Sequence, residues 1–304
     1  MHDIRLAMAL VAFSSIAVFA VSYRLLKSRS KTFLDIMAVI IVILIGVYVQ
    51  TVWDQLWIVN WISLPSVIVL ANWFPPLLFA LAATVWLRLR DLTVGRRLPV
   101  MGLMLGAAIY SVVYYIPAEP PECGDDWDQP FPPMIWPVCL QTTPFTCSAA
   151  AAATILNALE IPSSEQEMAR LCLTQSGTTW LGLYHGLSTK LLGTKHRIEF
   201  FESDVSDLER IAETHPVLLC CQLDAGVAEL IPEYVRQGGW IPGTAHSVVY
   251  FGVVNGSHII GDPSRGYEAW ESRDLNLLWT GTGLKVGDYD DDGNHAHNGD
   301  HTKR

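Results

Sequence analysis

Hydrophobic residues are concentrated in four long apolar stretches within the first 116 residues, at 6–23, 33–52, 64–87 and 98–116. Each stretch is close to the roughly 20 residues that a helix needs to cross the hydrocarbon core of a bilayer. We therefore predict a transmembrane region of four helices over residues 1–116. The third stretch holds Pro75-Pro76 near its middle, where we expect a kink packed against neighbouring helices.

The connections between these stretches differ in charge. The basic residues follow the first and third stretches: Arg24, Lys27, Arg29, Lys31, Arg88, Arg90, Arg96 and Arg97. The connection between the second and third stretches has no Lys or Arg. Because positive loops stay in the cytoplasm, both termini are predicted to face out, and the first stretch is predicted to be a retained signal anchor. The expected location is thus a multi-pass cell-membrane protein whose C-terminal part is extracytoplasmic.

Beyond residue 116 the pattern changes to that of a linker followed by a globular domain. Residues 117–140 are rich in Pro, Asp and Glu, which predicts an extended linker. Residues 141–285 alternate helical and strand patterns, and residues 286–304 form an acidic, His-rich tail that we predict to be disordered. The clearest local signal is Asn255-Gly256 between two β-rich runs, which predicts a hairpin with a primed turn.

Composition narrows the possible functions. The chain has 304 residues, of which 51% are hydrophobic and 16% charged, which fits membrane segments joined to a globular part. The net charge of −10 argues against a nucleic-acid partner, and no phosphate-binding loop is present. All six cysteines lie beyond residue 120, in spacings that fit neither a zinc site nor a redox motif. In an oxidising compartment Cys123 could pair with Cys139, and Cys172 with Cys220 or Cys221.

One cysteine stands where a loop meets a helix. Cys147 directly precedes a serine and a run of five alanines, so we expect it at a helix N-terminus, where the helix dipole favours the nucleophilic thiolate. His246 and Asp262 flank the two strands of the predicted hairpin, and they can meet across its open end. A histidine oriented by a carboxylate and paired with a thiol is the arrangement used for acyl transfer. Each residue also has an ordinary structural explanation: a core cysteine, a strand-end histidine, and an Asp-Pro turn.

These residues, with Gln141 six positions before Cys147 and Gly266 after Asp262-Pro263, resemble the bacteriocin-processing, double-glycine-leader peptidases of the papain-like cysteine peptidase clan. The resemblance spans about residues 136–285. It implies an α+β fold with helices packed on an antiparallel sheet, after the four-helix transmembrane region. It implies Cys147 as nucleophile, His246 as base and acid, Asp262 as orienter, and Gln141 as oxyanion donor. The family usually has glycine where this chain has Ser148, and an acidic residue where it has Thr146.

The expected function is a membrane-anchored cysteine peptidase that hydrolyses extracytoplasmic peptides or leader peptides. The alternative is a catalytically silent peptidase-like domain that binds a peptide or a partner protein at the membrane. Hydrolysis and acyl transfer to another acceptor remain equally open, as does a separate transporter as a partner. No cofactor or metal is expected for this chemistry. His185 and His215 are weaker candidates for the base, and tail residues His295, His297 and His301 are candidates for weak metal binding.

Overall fold

The computed structural model of the protein describes residues 2–113, 115–116, 119–130, 136–236 and 239–289. The chain forms two compact units, essentially residues 1–117 and 118–304. The helices are α1 His2–Leu26, α2 Lys31–Thr51, α3 Val67–Leu70, α4 Phe74–Arg88, α5 Val94–Val113, α6 Cys147–Ala158, α7 Glu165–Leu171, α8 Trp180–Lys190, α9 Val205–Ile211, α10 Ala225–Leu230, α11 Glu233–Arg236 and α12 Ser272–Leu278. The strands are β1 Asp126–Asp128, β2 Val138–Leu140, β3 His196–Glu202, β4 Val217–Gln222, β5 Ala245–Val254, β6 Ser257–Asp262, β7 Gly266–Trp270 and β8 Trp279–Asp288.

The N-terminal unit contains four helical segments that are long and apolar enough to cross a membrane. Three of them are α1, α2 and α5, and the fourth runs from Val67 to Arg88. This fourth segment is the most enclosed, because α1, α2 and α5 all pack against its α4 portion. The apolar side chains of the other three are largely exposed on the unit's surface, as expected for helices whose outer faces contact lipid.

The Pro75-Pro76 pair does not kink a continuous helix, contrary to our prediction. The segment is broken instead between α3 and α4, and the two prolines occupy the first turn of α4. Proline is tolerated there because the first N–H groups of a helix have no intrahelical acceptor. Asn72 lies in the break: its Oδ1 accepts from Phe74 N (3.3 Å) and its Nδ2 donates to Ser111 O of α5 (3.0 Å). Asn72 therefore joins two helices.

The C-terminal unit is built on a six-stranded antiparallel sheet of order β3-β8-β4-β5-β6-β7. Successive residues of a strand point to opposite faces, so both faces of the central strand β5 can be followed. Ser247 bonds to Ser148 of α6 (Oγ–Oγ 2.8 Å), whereas Val248 belongs to a core cluster with Leu208 of α9 and Leu275 of α12. The sheet is thus covered by helices on both faces, and the α+β prediction is confirmed.

The predicted hairpin is present as β5 and β6. Asn255 (φ 53°) and Gly256 (φ 83°) both adopt positive φ, as a primed two-residue turn requires. A register shift between Tyr250 and Gly252 inserts a bulge into β5. The hairpin places the beginning of β5 and the end of β6 side by side at one end of the sheet, where His246 and Asp262 lie.

Parts of the predicted linker and tail are ordered. Strands β1 and β2 lie within 117–140 and pair with each other, and Asp128 Oδ2 accepts from Tyr267 N of β7 (3.0 Å). These residues are therefore packed against the sheet instead of forming extended linker. At the other end β8 continues to Asp288, so residues 286–288 belong to the sheet. The predictions for 117–118, 131–135 and the tail 290–304 lie outside the described residues.

Candidate active site

Cys147 is the first residue of α6, as the Cys-Ser-Ala run predicts. Ala149 to Ala153 are fully buried, so small side chains let α6 pack closely on β5 and fix the position of its N-terminus. The residue as a whole is partly buried. The first N–H groups of a helix lack intrahelical acceptors, so Cys147 lies beside these donors and the positive end of the dipole.

His246 joins the thiol to a carboxylate. Its Nε2 lies 2.8 Å from Asp262 Oδ1. Cys147 lies close enough to the ring for its charge to raise the pKa of His246. The structure thus brings together the three residues that the sequence placed far apart, from α6, β5 and β6.

Asp262 is completely buried and accepts four hydrogen bonds. Its Oδ1 accepts from His246, from Ser264 N (2.8 Å) and from Ser264 Oγ (2.7 Å), while Oδ2 accepts from Trp240 Nε1 (2.8 Å). The Trp240 ring also lies against His246, with centroids 4.2 Å apart. These donors keep a buried carboxylate ionised, and the indole fixes the plane of the imidazole.

The electrostatics of the three groups favour an ion pair. Burial alone would raise the pKa of the Cys147 thiol, but the charge of His246 and its hydrogen bond outweigh burial, so this pKa lies below its ordinary value. Burial would lower the pKa of His246, but the charges of Asp262 and Cys147 raise it to about 10. Burial likewise opposes ionisation of Asp262, yet His246 and Ser264 hold its pKa below the ordinary value. These pKa directions favour a thiolate beside an imidazolium.

Gln141 lies beside the Asp262 turn, because its backbone N–H donates to Pro263 O (2.7 Å). Its side-chain Nε2 donates to Thr143 O (3.0 Å), and its Oε1 is buried without a hydrogen-bond partner among the described residues. The amide has two N–H donors, so one remains after Thr143 is satisfied. The next residue is held by a buried carboxylate: Glu165 accepts from Thr142 N (2.9 Å) and Oγ1 (2.8 Å). These contacts anchor Gln141 and Thr142, at the start of the loop that leads to Cys147.

The two departures from the resembled family are accommodated by hydrogen bonds. Ser148 is buried and its Oγ lies 2.8 Å from Ser247 Oγ, so a hydroxyl pair links the residue after the thiol to the residue after His246. Thr146 is also buried, and its Oγ1 donates to Thr143 O (3.1 Å). With both side chains in these positions, Cys147 is still the first residue of α6.

The other candidate histidines occupy other elements. His185 is buried in the middle of α8, and His215 precedes β4. None of the described cysteines forms a disulfide, so neither of the pairings considered from the sequence is present. Burial raises the pKa of Cys123 to about 11 and also raises that of Cys139, Cys172 and Cys221, in contrast to Cys147. Neither Trp240 nor Ser264 was predicted from the sequence. The Asp-Pro-Ser turn is a local signal for Ser264, whereas no local pattern indicates Trp240.

Comparison with solved structures finds peptidase domains. The C-terminal part is similar to the peptidase domain of Streptococcus ComA, a bi-functional ABC transporter involved in quorum sensing, with 20% identity and a TM-score of 0.39 over 49% of this chain and 96% of that one. It is also similar to a double-glycine motif protease from an AMS/PCAT transporter in complex with the leader peptide, with 14% identity and a TM-score of 0.39 over 54% and 99%. No family model and no curated protein matches the chain. At these identities the likeness concerns the fold, and the roles of individual residues are argued from their geometry alone.

Proposed function

We propose that the protein is a cysteine peptidase, anchored in a membrane by its N-terminal helices, that hydrolyses extracytoplasmic peptides or leader peptides. The observation that carries this proposal is the 2.8 Å contact between His246 Nε2 and Asp262 Oδ1, with Cys147 beside it at the start of α6. The pKa of the Cys147 thiol lies below its ordinary value, and the pKa of His246 is raised to about 10. A core cysteine or an ordinary strand-end histidine needs neither this contact nor these pKa shifts.

Acylation begins with attack of the Cys147 thiolate on the substrate carbonyl carbon. The carbonyl oxygen becomes an oxyanion, for which the donors are the Cys147 backbone N–H and the free Nε2 proton of Gln141. The His246 imidazolium then donates its Nδ1 proton to the leaving amine as the C–N bond breaks. A thioester to Cys147 and a neutral His246 remain.

Deacylation reverses these proton movements. Neutral His246 takes a proton from water, whose oxygen attacks the thioester carbon, and the new imidazolium stabilises the returning thiolate. Asp262 stays ionised throughout and stabilises each imidazolium state. The same acyl-enzyme can pass its acyl group to an amine, so the site supports acyl transfer as well as hydrolysis.

The orientation in the membrane rests on the basic loops. The α1–α2 and α4–α5 connections lie at one end of the N-terminal unit, because Arg88 pairs with Asp35 (2.6 Å) and Lys31 pairs with Asp91. Since positive loops stay in the cytoplasm, the opposite end and the peptidase unit are placed outside. A phosphatase reporter fused after residue 304 is expected to be active, and activity of a cytoplasm-restricted reporter there would reverse the orientation.

The alternative is a catalytically silent domain that captures a peptide or partner protein. The departures from the resembled family at Ser148 and Thr146 favour it. Both residues are accommodated by local hydrogen bonds, and the Cys147–His246 contact is kept. The ion pair would have no role in a passive binding domain. Capture without cleavage is therefore the second candidate, and it is an outcome of the test below.

The test compares the full-length protein in detergent with its Cys147→Ala variant. We expect the wild-type protein to cleave members of a diverse peptide library and the variant to lose this cleavage, because the thiolate is the nucleophile. The matched control is Cys123→Ser, which removes a partly exposed thiol whose pKa is raised and should leave cleavage unchanged. Cleavage that survives Cys147→Ala would refute the proposal, and biological function that survives it would favour the silent domain.

A further inference from the structure

Three metal-ligating side chains lie together at the end of the sheet remote from the catalytic histidine. One ligand atom from each of His196, His215 and Asp288 lies within 4.8 Å of the other two. His196 begins β3, Asp288 ends β8 and His215 stands two residues before β4. These strands are neighbours in the order β3-β8-β4, and His196 is directly opposite Asp288. The three side chains thus lie at the same end of three adjacent strands.

The cluster is separate from the proposed active site. Cys221 of β4 is the cross-strand neighbour of His246. His215 lies six residues before it on the same strand direction, about 20 Å away at the rise of an extended chain. Whatever the cluster binds therefore does not take part in peptide cleavage, and the inference does not rest on the proposed peptidase function.

One ring nitrogen in the cluster lacks a hydrogen-bond partner. His215 Nε2 is buried and has no hydrogen-bond partner among the described residues. A buried, unpaired ring nitrogen has a free-energy cost that a bound cation would relieve. His196 is already held by the carboxylate, with Nδ1 2.5 Å from Asp288 Oδ1.

Nearby positive charges are largely neutralised. Glu199 accepts from both Arg197 (2.6 Å) and Lys285 (3.2 Å), so each of these cations faces a carboxylate. The Nζ of Lys195 lies 3.8 Å from Asp288 Oδ2, and the Lys195 side chain is 70% exposed. This contact is loose, and Lys195 can turn into solvent.

We propose that His196, His215 and Asp288 form a site for a divalent transition-metal ion, with zinc as the best match. Two imidazoles and one carboxylate are a common zinc ligand set, with solvent in the fourth position. Tetrahedral zinc separates its ligand atoms by about 3.3 Å, which side-chain rotations can reach from separations within 4.8 Å. A cleft of about 370 Å³ lined by His215 and Asp288 gives an ion and its water access to the site. The ion would join the ends of β3, β8 and β4.

The test measures Zn²⁺ affinity of the full-length protein in detergent, by competition with a chromophoric chelator after EDTA treatment. All proteins carry His295→Ala, His297→Ala and His301→Ala, since the tail histidines could bind zinc themselves. We expect one equivalent of zinc, and a loss of at least tenfold in affinity for His196→Ala and for His215→Ala. The matched control is Glu213→Gln, an exposed carboxylate that lines the same cleft and should keep the affinity.

Two further readouts separate loss of a ligand from loss of the fold. Near-UV circular dichroism without metal should be the same for His215→Ala and the parent, because the lost Nε2 has no hydrogen bond to break. Co²⁺ should give visible absorption bands of a tetrahedral site in the parent and in Glu213→Gln, but not in His196→Ala or His215→Ala. Zinc affinity unchanged in both histidine variants, or absence of binding by the parent, would overturn the proposal.

Discussion

Asp262→Asn is the most informative perturbation of the proposed catalytic site, because it removes a charge while keeping the shape of the side chain. The pKa of His246 is about 10 against an ordinary value of 6.5. This difference of about 3.5 corresponds to about 5 kcal/mol in favour of the imidazolium. Burial lowers this pKa, and the charges of Asp262 and Cys147 raise it, with Asp262 the larger of the two. If Asp262 carries half of the net difference, its loss costs roughly 2–3 kcal/mol, or on the order of a hundredfold.

The sign of the pH effect follows from these pKa directions. His246 is raised, so its imidazolium persists until the pH rises through about 10. The pKa of Cys147 is below its ordinary 9.0, so the thiolate is lost as the pH falls through that lowered value. The ion pair, and hence kcat/KM, should be highest between these two limits. In Asp262→Asn the basic limit should move down by about two pH units, and kcat/KM should fall about a hundredfold.

The assay that needs no knowledge of the natural substrate is alkylation of Cys147 by iodoacetamide. Its rate follows the thiolate fraction, and mass spectrometry assigns the modified cysteine. Asp262→Asn should weaken the imidazolium and so slow alkylation near pH 6, while Asp207→Asn, an exposed carboxylate on α9, should not. Near-UV circular dichroism would check that both variants are folded. An unchanged alkylation profile and an unmoved basic limit would refute the role of Asp262.

Two further substitutions separate the parts of the site. Trp240→Phe keeps an aromatic ring beside His246 but removes the N–H donor to Asp262, a charge-assisted hydrogen bond typically worth about 1.5–3 kcal/mol. We therefore expect about a tenfold loss of kcat/KM. The basic limit of the pH profile should also move down, by less than in Asp262→Asn. An effect as large as that of Asp262→Asn would contradict this ranking. Gln141→Ala should lower kcat by about 10²–10³ through loss of an oxyanion donor, and it should leave the alkylation rate of Cys147 unchanged, because alkylation forms no oxyanion. Equal losses in both assays would show that Gln141 acts on the thiol instead.

Local sequence rules predicted the elements whose determinants are local. Ser164 accepts from Glu167 N and Thr179 from Gly182 N, as capping patterns before α7 and α8 require. The Asn-Gly turn fixed the β5–β6 hairpin, and with it the approach of His246 to Asp262. Here a few neighbouring residues determine the backbone, so inspection of the sequence was sufficient.

The elements that the sequence did not predict depend on distant residues. Strand β8 is the last strand of the described residues, yet it lies between β3 and β4 in the sheet. Its glycine-rich sequence is a poor strand signal, but a Cβ at Gly283 would overlap Leu218 O and the Phe201 ring, so close packing of neighbouring strands requires glycine there. Trp240 reaches Asp262 from a loop 22 residues earlier in the chain, and nothing in its local sequence marks that contact.

Asp262 fits both interpretations of its sequence, as part of an Asp-Pro turn and as the carboxylate that orients His246. The Asp-Pro-Ser segment is an Asx-type turn, since Asp262 Oδ1 accepts from Ser264 N, and the same oxygen accepts from His246. The turn donors offset part of the cost of burying the charge that the imidazolium needs. Alanine at this position would lose the turn and the charge together. Asparagine forms Asx turns readily, so Asp262→Asn can keep the Ser264 contact while it removes the charge. It also replaces the acceptor of the Trp240 N–H with an amide donor, and the Trp240→Phe variant measures the loss of that hydrogen bond by itself.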